Sequence, residues 1–190
     1  MVNQKTRRMV MAALLAALTT AATMVIRIPT PTLGYIHLGD SMVLICGILL
    51  GPGLGAAAAG IGSMLADLFS GFTAWAPGTF AIKALTALVG GSLYRLCLKR
   101  EHISPPLRVI LCGIPAEAVM VAGYFLYEVG MMALAGSDLS AAAMAVLAGV
   151  PFNVVQGLTG IVVGVVLLPV LSHAGAGAEM PSRRRKSHNF

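Results

Sequence analysis

Residues 40–69 read DSMVLICGILLGPGLGAAAAGIGSMLADLF, and two apolar runs meet in them head to tail. The first starts at Asp40 and stops at Gly51-Pro52-Gly53; the second extends from Leu54 to Phe69 with one charge, Asp67. A break of three residues leaves no room for anything but an antiparallel helical hairpin. Such a hairpin needs lipid around it, and the rest of the chain agrees. With 57% hydrophobic and 11% charged residues in 190, and a mean hydropathy of +0.87, there is too little polar surface to cover a globule in water.

A hydrocarbon core of about 30 Å takes roughly 20 helical residues, so the length allows about six spans with short loops. Span one is read from Met9 to Ile26 and ends at Arg27-Ile-Pro-Thr-Pro, where two prolines impose an extended, ordered loop up to His37. Spans two and three are the hairpin. Span four is read from Pro77 to Leu98, span five from Pro106 to Leu134 and span six from Ala141 to Leu171. Pro115 and Pro151 fall inside the last two, where prolines kink or unwind a turn. The expected fold is all-α: a polytopic six-helix membrane bundle forming one domain over 1–172, with a disordered basic cytoplasmic tail at 173–190.

Lysine and arginine set the orientation. Lys5, Arg7 and Arg8 precede span one; Arg95, Lys99, Arg100 and Arg108 lie between spans four and five; Arg183, Arg184, Arg185 and Lys186 follow span six. These eleven of thirteen cations share one side of a six-span bundle, which the positive-inside rule makes the cytoplasm, with both termini there. The net charge of +6 is thus explained by topology rather than by a nucleic-acid partner. The N-terminal Lys5-Thr6-Arg7-Arg8 ahead of an apolar run is similar to a signal peptide, but the run is long enough to be read as a retained first helix.

Depth and helical phase then bring polar groups together, since residues three, four and seven apart share a helix face. Ala56, Gly60, Ser63 and Asp67 make one stripe; Thr79, Lys83, Ala87, Gly90 and Tyr94 another; Glu117, Tyr124 and Glu128 a third; Asn153, Gln156, Gly157, Gly160 and Gly164 a fourth. Apart from Glu117 near the midplane, the polar members lie in the outer half of the bilayer. Ionisable groups within a membrane are costly, so their convergence points to a solute site. Asp67, Lys83, Glu128, Asn153 and Gln156 are the candidates to bond a solute's polar edges, and Tyr124, Trp75 and Tyr35 to contact a ring face. Trp75, Tyr35 and His37 lie on two outer loops that read as a lid over an outward-facing pocket.

Structural readings stand beside these. Asp67 and Lys83 flank one outer loop and are suited to an ion pair. Asp40 stands where a helix N-cap belongs, though it too is counted among the candidate contacts. His37 suits a loop hydrogen bond better than a metal, having no second histidine at ligand spacing. Trp75 doubles as an interfacial anchor, and Asn153 and Gln156 as partners for backbone broken at Pro151. Glu117 is either a hydrogen-bonded core group or part of a proton path. Cys46, Cys97 and Cys112 form no C-x-x-C pair and read as small packing residues, and no cofactor or metal is expected.

Engines are missing from the sequence. Gly51-Pro52-Gly53-Leu54-Gly55 lacks the lysine and hydroxyl of a phosphate-binding loop, and Gly60-Ile61-Gly62-Ser63 lacks nucleophile-elbow spacing and a histidine within a span to activate it. Neither ATP hydrolysis nor an enzyme mechanism is legible, and no inverted repeat of broken helices suggests a self-sufficient carrier.

The ordered motifs Gly34-Tyr35-Ile36-His37-Leu38-Gly39-Asp40-Ser41, Leu50-Gly51-Pro52-Gly53-Leu54-Gly55-Ala56, Gly60-Ile61-Gly62-Ser63-Met64-Leu65-Ala66-Asp67-Leu68 and Ala76-Pro77-Gly78-Thr79-Phe80-Ala81-Ile82-Lys83 resemble the substrate-binding S components of energy-coupling factor (ECF) vitamin transporters. The branch they resemble takes riboflavin, hydroxymethylpyrimidine or pyridoxine-type ligands. The resemblance implies a prokaryotic cell-membrane protein that binds a vitamin from outside, with the span-one loop as gate. It also implies a membrane scaffold and two ATPase subunits that make the protein topple and release its cargo. Docking to that scaffold would use an alanine pair four apart on the first helix, for which Ala13 and Ala17, Ala12 and Ala16, or Ala17 and Ala21 qualify. The competing class is a stand-alone proton-coupled carrier using Glu117 and Glu128.

Overall fold

The computed structural model describes residues 3–25, 27–29, 35–100 and 102–173, with backbone alone at 27–29 and 35–36. Its elements are α1 (Gln4–Val25), a ribbon of β1 (Arg27–Pro29) and β2 (Tyr35–His37), α2 (Gly39–Leu50), α3 (Pro52–Phe69), α4 (Ala76–Leu98), α5 (Pro105–Leu134), α6 (Leu139–Leu147) and α7 (Val150–Leu171). Five of these helices are long and apolar enough to cross a membrane, and α2 is a shorter apolar sixth. The molecule is a helical membrane bundle.

The short helix is the centre of it. All twelve residues of α2 are buried, and it packs against α1, α3, α4 and α7. At 1.5 Å per residue, α2 covers only about 18 Å of a bilayer about 30 Å thick. That is tolerable because backbone wrapped in protein finds its partners there rather than in lipid. The others surround it in the order α1, α3, α4, α5, α7, with apolar side chains such as Leu14, Leu85, Ile114, Val162 and Val166 turned outward.

Glycine makes the central packing close. A Cβ on Gly47 of α2 would lie 2.2 Å from the Ala87 carbonyl oxygen, and one on Gly91 of α4 would lie 2.4 Å from the Gly47 carbonyl oxygen. Small residues admit helix backbones to contact in lipid, where packing supplies the attraction that hydrophobicity supplies in water. The turn between α2 and α3 is a single residue, Gly51, at φ 84°, a left-handed conformation that side chains disfavour. Pro52 then opens α3, where its missing N–H costs nothing.

Several expectations are corrected. The sixth span divides at Ala148-Gly149 into α6 and α7. Pro151 therefore sits in the first turn of α7 instead of inside a helix, and α5 stays helical through Pro115. The expected extended backbone after span one is present at Arg27–Pro29 and Tyr35–His37, which pair as an antiparallel ribbon with Arg27 opposite His37 and Pro29 opposite Tyr35. The expected tail from 174 onward lies outside the described residues.

Candidate functional site

Where α2 begins, four elements bring polar groups to one point. Asp40 is in the first turn of α2, Lys83 two turns into α4, Gln156 two turns into α7, and His37 ends β2. Both carboxylate oxygens of Asp40 are engaged: the Lys83 ammonium forms an ion pair with Oδ1, and Gln156 Nε2 donates to Oδ2 at 2.6 Å. Gln156 Oε1 in turn accepts from the His37 backbone N–H at 3.0 Å. The Gly39 N–H donates to His37 Nδ1 at 3.0 Å. The first N–H groups of a helix lack partners within it, and here the His37 side chain at the end of the ribbon accepts that of Gly39.

Asp40 and Lys83 are both fully buried. Two charges that cannot reach water are tolerable only when paired and further hydrogen bonded, which this network provides. The Lys83 ammonium also lies 5.1 Å from the centroid of the Tyr124 ring, within cation–π range. The Tyr124 hydroxyl donates to Thr79 Oγ1 at 3.1 Å, tying α5 to α4.

This geometry revises two readings. The ion partner of Lys83 is Asp40, not Asp67. Nor is Asp40 a cap: the N-cap position belongs to Leu38, without a side-chain cap bond. Asp40 and Lys83 meet because the first turn of α2 lies beside the second turn of α4, a juxtaposition that the sequence of neither helix reveals. His37 is a loop hydrogen-bond partner, as its isolation suggested.

Other candidates lie around the network. Asp67 is buried near the end of α3, and its backbone carbonyl accepts from the Phe72 N–H at 2.9 Å in the loop to α4. Trp75 stands at the N-cap position of α4, its ring edge-on to Phe72 at 5.9 Å. Its indole Nε1 makes no well-formed hydrogen bond, although the half-buried Glu128 carboxyl is beside it. Tyr127, which the sequence reading passed over, covers this loop: its hydroxyl donates to the Ala74 carbonyl at 2.7 Å. Its ring occupies the space a Cβ on Gly78 would need. Asn153 is half-buried one turn before Gln156, and the Tyr35 side chain lies outside the described residues.

Glu117 is the exception to the satisfied network. It is 5% exposed, within electrostatic reach of Asp40 and Lys83, and neither carboxyl oxygen has a hydrogen-bond partner. On its other side it lines a groove of about 460 Å³ between α5, α6 and α7, whose walls include Ile114, Val121, Phe125, Val150, Val154 and Leu158. Among the described residues no cluster of metal-binding side chains occurs.

On α1 the alanines separate by face. Ala12 is buried and Ala16 half-buried, and Ala16 offers its carbonyl 2.4 Å from where a Cβ on Gly62 of α3 would lie. That face belongs to the bundle. Ala13, Ala17 and Ala21 are exposed.

The chain matches the model of the family described as "ECF-type riboflavin transporter, S component" over residues 3–173. It is 32% identical over 146 residues to a Pyrococcus woesei protein described as "Uncharacterized protein in gap 3'region", covering 76% of this chain and 88% of that one. Its fold is similar to that of the S component of a bacterial ECF transporter, with a TM-score of 0.65 at 21% identity, covering 90% of this chain and 98% of the other. The chain belongs to the family of ECF-type riboflavin transporter S components.

Proposed function

We propose that this chain is the capture subunit of an ECF transporter: it binds riboflavin at the outer half of the bundle and delivers it with the help of a membrane scaffold and two ATPase subunits. The observation that supports this best is the chain of bonds from His37 through Gln156 and Asp40 to Lys83. It couples the end of β2 to the bundle interior, so a ligand that alters the network also alters the hold on the ribbon. Polar donors and acceptors converging at one point of an otherwise apolar bundle suit a ligand with hydroxyl groups. Asp67, Trp75, Glu128 and Asn153 line the approach in this reading. The exposed Ala13–Ala17 face is the scaffold contact, and both termini are cytoplasmic.

Purifying the chain in detergent, denaturing it and identifying released small molecules by absorption and mass spectrometry tests the reading. Stoichiometric flavin is expected. A pyrimidine or pyridine instead would move the substrate within the same class. No ligand, even after incubation with a vitamin panel, would sink the capture role. Accumulation by vesicles without ATPase subunits, in proportion to a proton gradient, would replace it with the stand-alone carrier.

A further inference from the structure

We propose that the end of the bundle opposite Asp40 and Lys83 carries a binding site for an anionic phospholipid. Lys99, Arg100 and Arg108, at the junction of α4 and α5, take the headgroup phosphate, and Leu96, Leu107 and Leu111 take the upper part of an acyl chain.

The positive-inside rule accounts for cations at this end, but not for their arrangement. Because α4 stops at Leu98 and α5 starts at Pro105, the three cations are gathered at one turn between antiparallel helices. Lys99 and Arg100 are exposed and Arg108 is half-buried. Arg108 is also held in place: its Nη2 donates to the Arg100 carbonyl at 3.3 Å, which brings the guanidinium from the first turn of α5 back to the end of α4. Among the described residues no carboxylate pairs with any of the three. The described acidic residues lie elsewhere, on α2, at the far end of α3, in the middle and far end of α5, and before α6. Like charges brought together without a counter-charge repel one another, and an anion from outside relieves that.

The apolar half of the site adjoins the polar half. Leu96 precedes Arg100 by one helical turn, and Leu107 and Leu111 flank Arg108 along α5. These leucines are 56%, 44% and 45% exposed. Cations at the end of a membrane bundle with apolar side chains directly beneath them match a molecule with phosphate at one end and hydrocarbon at the other. A soluble anion would use the cations alone, and an uncharged lipid the leucines alone. Arginine suits the phosphate, since its planar fork can donate two parallel N–H bonds. Tethered as it is, Arg108 has less freedom to lose on binding.

The test titrates phosphatidylglycerol or phosphatidylcholine into the purified full chain in detergent and follows bound lipid by native mass spectrometry. Wild type should retain phosphatidylglycerol in preference to phosphatidylcholine, and should release it as salt rises. Arg100→Gln with Arg108→Gln should bind it about thirtyfold more weakly, at about fivefold for each cation lost. Arg7→Gln with Arg8→Gln, which removes as much charge from the same end of the bundle but from α1, should leave it nearly unchanged. Lys99→Gln, confined to the surface, should weaken it about fivefold and keeps the proposal testable if the double variant at the turn fails to fold. Soluble glycerol phosphate should not displace the lipid. Equal retention of the two lipids, equal losses in the two double variants, no loss in Lys99→Gln, or displacement by glycerol phosphate would each overturn the site. None of these readouts involves riboflavin, so the capture reading stands or falls separately.

Discussion

Lys83 heads the largest fully buried side chains among the described residues, and its neutraliser comes from another helix. Removing one member of a buried pair strands the other, at a cost of about 3–5 kcal/mol, whereas replacing both by apolar groups is often nearly neutral. Lys83→Met should therefore lower thermal stability in detergent sharply, and Lys83→Met with Asp40→Leu should recover much of the loss; equal losses in single and double variants would refute the pairing as the cause. Gln156→Leu should act differently. It removes the bridge from Asp40 to the His37 backbone, so ligand dissociation should quicken more than stability falls, as stopped-flow release would show. Much of this site was legible: the stripe Thr79, Lys83, Ala87, Gly90 and Tyr94 is buried at every position, because helical phase is a local property. The partner of Lys83 was not, because pairing depends on how α2 and α4 pack against each other, which the sequence of neither helix states.

At the scale of the element, glycines divide into those that hold helices together and those that do not. Gly47→Val should prevent close approach of α2 and α4, costing at least about 1–3 kcal/mol, while Gly53→Ala, with nothing within 4 Å of the added Cβ, should leave the unfolding temperature almost unchanged. Equal effects would show that the backbone contact between α2 and α4 is not what limits stability. The first helix of the divided sixth span carries its own start signal. Asp138 caps α6, its carboxylate accepting from the N–H groups of Ser140 and Ala141 at 3.0 and 3.2 Å. The Ser140 hydroxyl, followed by these N–H groups, holds the Asp138 carboxyl below its ordinary value of 3.8. The cap's contribution is present above that value and is lost as pH falls through the lower folded one. Opening of α6, followed by amide exchange, should thus increase only in acid, and less so in Asp138→Asn. Continuous apolar character across 141–171 conceals this break, since Ala148 and Gly149 interrupt the helix without interrupting the hydropathy.

For the molecule as a whole, the two alanine faces of α1 make the docking proposal divisible. Ala17→Trp, on the exposed side, should leave riboflavin binding by the isolated chain intact and remove copurification with the scaffold. Ala16→Trp, against α3, should damage the isolated chain itself. The opposite pattern would place the docking face elsewhere. If the bundle topples as a unit, its interior charges travel through the membrane's electric field. A lone ammonium carried across would add or subtract about 2.3 kcal/mol per 100 mV. Because Lys83 moves with Asp40, the pair carries no net charge and does no electrical work, so its journey is indifferent to the membrane potential. Asp40→Asn would turn the same journey into a current: uptake by polarised vesicles should acquire a voltage dependence for which the native pair gives no cause.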